Sequence, residues 1–348
     1  MRFNNVCIES LGYHLPQNIV TSAELEKRLD PLYRKLKLPA GRLEMMSGIR
    51  ERRFWDAGTL PSEVGSIAGE KAIVKSGVDR SEIGCLICAS VCRDFLEPAT
   101  ASVIHNNLKL RKASLVFDVS NACLGVLNGM IFIASMIELG QIRAGLVVAG
   151  EHGGPLVDNT IDMLLKNPNP TRSGIKGSFA SLTIGSAATA VLLTHKDISR
   201  SKHKLLGGVG LAATQFNHLC RGSSDGGMHA DSAPLMETDS ETLMKEGCKL
   251  AGETWSATKD ELKWKNEDVD RVFCHQVGSM HRKLLYETMD MNIAKDFPTL
   301  EFLGNTGAAS LPTTLAIGEE QGCLDKGSKV CLLGIGSGLN CLMLGVEW

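Results

Sequence analysis

The chain has 348 residues, too many for one simple core and enough for two closely packed halves. Hydrophobic residues make up 43% and charged residues 22%, an ordinary globular balance that excludes a disordered or fibrous chain. The net charge of −2, with no block of like charge, excludes a basic surface built for nucleic acid and a charged tail.

The first residues, Met1-Arg2-Phe3-Asn4-Asn5, lack the apolar stretch of a signal peptide. A helix is predicted over Ser62–Ser76, followed by a buried strand over Gly84–Ser90. Phe117-Asp118-Val119-Ser120-Asn121-Ala122-Cys123-Leu124-Gly125 runs from a strand into a helix that continues to Ile137. That helix is apolar nearly all round, which predicts central burial, and Gly125 and Gly129 leave room for a neighbouring backbone. The apolar run from Leu124 to Leu139 is interrupted by Asn128 and is too short to span a bilayer. A second buried strand is predicted over Ala144–Gly150. Further strands are predicted over Val269–Val277 and Lys329–Ile335, after a helix over Ser240–Leu262. The glycine-rich polar stretches Lys166–Lys176 and Arg221–Ser232 read as surface loops.

This alternation predicts an α/β fold with mostly buried strands. The strands at Leu86 and Leu146 are about 60 residues apart, as are those at Phe273 and Leu333, an interval that suggests duplicated halves. Ile184-Gly185-Ser186 and Ile335-Gly336-Ser337-Gly338 open similar final strands in the two halves. The boundary is expected near Asp197–Lys204, dividing the chain into residues 1–200 and 201–348.

The eleven cysteines form no disulfide framework, and Cys7, Cys85, Cys88, Cys331 and Cys341 lie in apolar runs as small hydrophobes. A reducing, cytoplasmic compartment is expected. Cys85 and Cys88 have CxxC spacing, but strand alternation puts their sulfurs on opposite faces, so no metal site is expected. Cys123 differs, because it stands at a strand-to-helix corner. A helix N-terminus there favours thiolate and supplies N–H groups for an oxyanion. A thiolate can take an acyl group from a thioester in a nearly balanced exchange. The residues alone fit an inert buried cysteine equally well.

Taken with five other ordered segments, Asn121-Ala122-Cys123 resembles the ketoacyl synthase III branch of the thiolase superfamily over nearly the whole chain. Those segments are Leu11–Pro16, Ser47–Arg53, His275-Gln276, Gly304–Ser310 and Gly334–Gly338. The resemblance implies a five-layered αβαβα sandwich of two duplicated halves and a homodimer. It also implies an acyltransferase that works on coenzyme A thioesters with no further cofactor. By the same resemblance Cys123 is the nucleophile, His275 and Asn305 hold the substrate thioester oxygen, and the N–H groups of Cys123 and Ser337 form an oxyanion hole. Arg50 and Arg52 are candidates for coenzyme A phosphates, or else ordinary surface charges.

Leu333 stands where a biosynthetic thiolase carries its second cysteine, which weakens that reading. Met45-Met46 stands where initiating synthases place an arginine against coenzyme A. The segment from Ser90 to Ser102 is similar to that of the OleA family, which condenses acyl-CoA head to head in bacterial olefin synthesis. The resemblance implies that Glu97 enters the partner subunit's site as the base for α-proton removal. Two departures, Leu124-Gly125-Val126 and Asn305-Thr306-Gly307, bear on chain length and the second substrate. The reaction expected is a non-decarboxylative Claisen condensation of two fatty acyl-CoA thioesters, with downstream enzymes of the pathway as possible partners. Alternatives are a decarboxylating synthase using malonyl carrier protein, a hydroxymethylglutaryl-CoA-synthase-like enzyme and a non-catalytic acyl-binding scaffold.

Overall fold

The structure, a computed structural model, describes residues 1–222 and 235–348. The first half contains strands β1 (Val6–His14), β2 (Asn18–Thr21), β3 (Glu51–Phe54), β4 (Ile83–Cys88), β5 (Leu115–Asp118), β6 (Ala144–Glu151) and β7 (Ala187–His195). Its helices are α1 (Ser22–Arg28), α2 (Asp30–Leu36), α3 (Arg42–Ser47), α4 (Pro61–Ser76), α5 (Thr100–Asn107), α6 (Gly125–Glu138) and α7 (Gly154–Lys166). The second half contains β8 (His203–Ala212), β9 (Cys220–Gly222), β10 (Met236–Thr238), β11 (Arg271–Cys274), β12 (Lys329–Gly336) and β13 (Asn340–Glu347). Its helices are α8 (Ser240–Leu262), α9 (Ser279–Thr288), α10 (Leu300–Leu303) and α11 (Ser310–Glu320).

Nine of these strands hydrogen-bond in the order β11-β12-β13-β8-β1-β7-β6-β4-β5. From β1 outward the pairings are antiparallel to β7, antiparallel to β6, then parallel to β4. From β8 outward they are antiparallel to β13, antiparallel to β12, then parallel to β11. The second half therefore repeats the first, and β7 and β13, which follow the two similar Gly-Ser turns, hold equivalent places. The two half-sheets join where β1 pairs with β8 at Cys7–Lys204 and Ile8–His203.

Period-two alternation builds the layers. Cys85, Ile87, Val147 and Ala149 face an inner core with Leu332, Leu342 and Leu344, and the same core takes in Leu127 of α6 and Leu315 of α11. Leu86, Cys88, Leu146 and Val148 face the other way, onto α4 and α5. Cys331, Leu333, Cys341 and Met343 face α8 and α9. The five layers expected of the thiolase fold follow, and Cys85 and Cys88 lie on opposite faces of β4. Close approach explains the glycines of α6: a Cβ at Gly125 would lie 2.2 Å from the Ala89 carbonyl oxygen, and one at Gly129 2.7 Å from Val147 Cγ1.

Two expectations need correcting. The strand expected over Val269–Val277 is regular only from Arg271 to Cys274, because Gln276 turns aside to bind the segment at Phe297–Leu300. Helix α6 is not covered all round: Phe132 is 51% exposed. The loop over Lys166–Lys176 is largely exposed as expected. Of the loop expected over Arg221–Ser232, residues 223–232 lie outside the described residues. No described helix is long and apolar enough to cross a membrane.

Candidate active site

Strands β4, β5 and β6 are mutually parallel, as are β11 and β12, so the segments leaving their carboxyl ends gather at one end of each half-sheet. Those segments carry Glu97, Cys123, Glu151, His275 and Ser337 respectively. Ligand sites of α/β sheets form at such ends.

Cys123 sits in a tight turn between β5 and α6. Ala122 before it has φ 45°, a left-handed conformation that costs a non-glycine residue free energy and aims the next side chain out of the turn. The turn is closed by Leu124 N–H donating to Asn121 O at 2.9 Å and by Asn121 Nδ2 donating to Asn128 Oδ1 at 2.8 Å. Gly336 packs on the Cys123 amide, with its Cβ position 3.5 Å from Cys123 N.

His275 extends the β11–β12 ladder by one bond, its N–H donating to Leu333 O at 2.9 Å. It is buried, and neither Nδ1 nor Nε2 has a hydrogen-bond partner among the described residues. Burial, with help from His281, pushes its pKa down to about 3, so the ring is neutral and keeps one N–H to donate. Asn305 is held by its backbone: its N–H donates to Thr183 O at 2.9 Å and its carbonyl accepts from Gly185 N–H at 2.8 Å. Its Oδ1 accepts from Gly307 N–H at 3.0 Å, which leaves the Nδ2 hydrogens to offer.

Cys123, His275, Asn305 and Ser337 line one cavity of about 950 Å³ whose walls include Leu60, Leu156, Phe179, Leu243, Met244 and Met280. A cysteine thiol, two neutral donors and a turn of backbone N–H groups thus meet in an apolar chamber large enough for long alkyl chains.

The thiol does not follow the expectation of a ready thiolate. Burial pushes Cys123 up to about 12, and the Glu151 carboxylate and Cys220 add to the effect. Desolvation here outweighs the N-terminus of α6, so the resting group is the thiol.

Two family profiles match the chain: 3-Oxoacyl-[acyl-carrier-protein (ACP)] synthase III over residues 117–207, and its C-terminal part over residues 260–348. The acyl-CoA:acyl-CoA alkyltransferase of Shewanella oneidensis is 45% identical over 351 residues, covering 100% of both chains. That of Xanthomonas campestris is 37% identical over 348 residues, again covering 100% of both. The chain belongs to the acyl-CoA:acyl-CoA alkyltransferase (OleA) family. A cysteine-to-serine form of Xanthomonas campestris OleA, with bound lauric acid and lauroyl-CoA, superposes with a TM-score of 0.93. The two are 36% identical, and the match covers 99% of this chain and 100% of that one. The fold is therefore the thiolase fold of OleA and the ketoacyl synthase III enzymes.

Against this OleA frame, the remaining candidates fall elsewhere. Glu97 lies on an exposed loop and does not line its own chain's cavity. The loop is anchored at Asp94, whose carboxylate accepts from Ser62 N–H at 2.9 Å, and beyond it Phe95 and Leu96 are about half exposed. Arg52 is 0% exposed, with Nη1 donating to Ser22 Oγ at 3.0 Å and Nη2 to Leu182 O at 3.2 Å. It has no face for a phosphate, and its place is beneath the Gly185–Gly304 crossing, in van der Waals reach of both Cβ positions. Arg50 is exposed but pairs with Glu301 at 2.9 Å, outside the cavity lining.

Two cavity residues escaped the sequence reading. Glu151 closes β6, and its signal was a lone carboxylate ending an otherwise apolar strand at the carboxyl end of the sheet. His281 of α9 is buried against the same space, with its pKa pushed down to about 4. Six residues past His275, it carried no motif of its own.

Proposed function

We propose that the protein joins two fatty acyl-CoA thioesters by non-decarboxylative Claisen condensation through a Cys123 acyl-enzyme. The observation that carries this is the gathering of Cys123, His275 and Asn305 on one apolar cavity of about 950 Å³. In the first half-reaction, the Cys123 sulfur attacks the thioester carbonyl, its proton passes to the departing coenzyme A sulfur, and one thioester replaces another. The N–H groups of Cys123 and Ser337 hold the tetrahedral oxyanion. In the second, Glu97 removes the α-proton of a second acyl-CoA while His275 and Asn305 donate to its thioester oxygen. The carbanion attacks the acyl-enzyme carbonyl, the Cys123 thiolate leaves, and the proton held by Glu97 restores the thiol. The product is a β-ketoacyl thioester, passed to downstream enzymes.

Glu97 acts in trans in this reading, within a cytoplasmic homodimer. The support is the edge position of β5 among the described residues, where Leu115 and Val116 are exposed, and the exposed Phe95 and Leu96 that adjoin Glu97 in the chain. A two-fold pairing of β5 edges would cover that edge and satisfy the open backbone groups. Coenzyme A thioesters are the only cosubstrates the reading needs, and its halves are residues 1–200 and 201–348.

The test is trapping of the intermediate. Glu97→Gln incubated with lauroyl-CoA is expected to gain one lauroyl group on Cys123 by intact mass and to form no condensed product. A Cys123 that stays unacylated in wild-type and variant alike would sink the proposal.

A further inference from the structure

Glu151 is the one carboxylate among the described residues that line the cavity, and the condensation above gives it no role. It is 4% exposed and lines the cavity with Cys123 and Asn305. Three backbone N–H groups converge on it: Oε1 accepts from Val91 at 2.9 Å and Ala308 at 3.3 Å, and Oε2 accepts from Cys92 at 3.2 Å. Val91 and Cys92 are the root of the loop that carries Glu97. Ala308 belongs to the loop that carries Asn305. The backbone of Glu151 is itself pinned, its carbonyl accepting from Trp55 Nε1 at 3.0 Å.

We propose that Glu151 is a positioning residue that locks the Asn305 loop to the root of the Glu97 loop. This rests on the condensing reading above, in which both residues act. An ionised carboxylate is the one side chain that offers two oxygens and no hydrogen to three converging donors. A glutamine would set an NH₂ against at least one of them. The neighbouring loop is shaped to the carboxylate: Gly307 has φ +58°, and a Cβ there would lie 3.3 Å from Glu151 Cδ. Gly307 N–H is also the donor that orients the Asn305 amide, at 3.0 Å. The path from Glu151 to the Nδ2 hydrogens of Asn305 is therefore two hydrogen bonds and one residue long.

A role as the α-proton base fits less well, because the same three N–H groups already occupy the oxygens. Cys92, His152 and Cys123 are the titratable groups that share its part of the cavity lining. Burial pushes the Glu151 carboxyl up, further than the N–H bonds pull it down, and its charge when ionised raises the Cys123 thiol.

That last link gives a second readout, taken beside thermal unfolding because loss of folding would also expose Cys123 to alkylation. The full-length protein is made as Glu151→Gln and Glu151→Asp and assayed with lauroyl-CoA for turnover and with iodoacetamide for the Cys123 alkylation rate. Glu151→Gln is expected to lower kcat by about 10- to 100-fold, the cost of misplaced catalytic groups, while Cys123 alkylates faster because a neighbouring negative charge has gone. Glu151→Asp keeps the charge but draws it back from the donors. It is expected to lower kcat similarly with alkylation at the wild-type rate. Turnover within about twofold of wild type in both variants would overturn the proposal. So would loss of turnover in Glu151→Gln with full turnover in Glu97→Gln, which would make Glu151 the base. A wild-type protein that acylates but never condenses lauroyl-CoA sinks the reading beneath it instead.

Discussion

Gly125→Ala should displace Cys123 without touching the cavity. The added Cβ would lie 2.2 Å from Ala89 O and 3.1 Å from Ala89 C, whereas a carbon–oxygen contact rests at about 3.3 Å. The backbone of Ala89 cannot retreat, because its N–H donates to Val148 O at 2.7 Å in the centre of the sheet. Helix α6 must move instead, by about 1 Å to reach that contact distance. The movement passes to Cys123, since Leu124 N–H bonds Asn121 O at 2.9 Å and Gly125 N–H bonds Ala122 O at 3.2 Å. A 1 Å misplacement costs about a hundredfold in rate, and overpacking costs about 1–3 kcal/mol in stability. Single-turnover acylation by lauroyl-CoA, followed by intact mass, and thermal unfolding measure the two effects. Gly210→Ala is the control, since its Cβ would meet Leu342 Cδ1 at an ordinary 3.5 Å. Acylation within about twofold of wild type in Gly125→Ala would refute the reasoning.

Cys123→Ala and Glu97→Gln should each be inactive alone yet recover activity on subunit exchange. Each mixed dimer then holds one intact site, about a quarter of all sites at equal mixing; no recovery in a verified mixed dimer would place Glu97 in its own subunit's site, and an active Glu97→Gln alone would place it outside the chemistry. Arg52→Met should cost about 2–4 kcal/mol in urea unfolding, by leaving Ser22 Oγ and Leu182 O without their donor, while the KM for acyl-CoA stays unchanged. A raised KM with unchanged stability would reverse that assignment. His275 and His281 are held neutral, with pKa values near 3 and 4 against an ordinary 6.5. As pH falls below 6.5 the unfolded chain takes up protons that the folded one refuses, so stability should fall progressively towards pH 4. The urea midpoint of a His275→Gln/His281→Gln double variant should depend less on pH in this window, and an unchanged slope would contradict the stated cause.

The layers were legible because buried strands such as AGLVVAG and KVCLLGI are bounded by turn residues, and the two 60-residue intervals match equivalent strands in the structure. Cys123, His275 and Asn305 were legible as candidates because each lies in a short segment that resembles its family, and the structure sets all three on one cavity. Arg52 misled because an arginine in a polar run, Arg50–Arg53, reads as surface, whereas the crossing of Gly185 and Gly304 above it is a long-range feature. Glu151 was missed for a related reason: its three N–H partners come from residues 91, 92 and 308, and no local pattern announces such convergence. The helix after Cys123 read as centrally buried since its apolar sequence does not say whether a neighbouring element or a second subunit covers Phe132.

The central claim is tested most directly by incubating the purified protein with lauroyl-CoA alone, without malonyl carrier protein, and counting released coenzyme A thiol against β-ketoacyl product. Release that continues well past one equivalent per site, with a condensed product that Cys123→Ala abolishes, is the predicted result. Release that stops near one equivalent and resumes only when malonyl carrier protein is added would contradict it and make the enzyme a decarboxylating synthase.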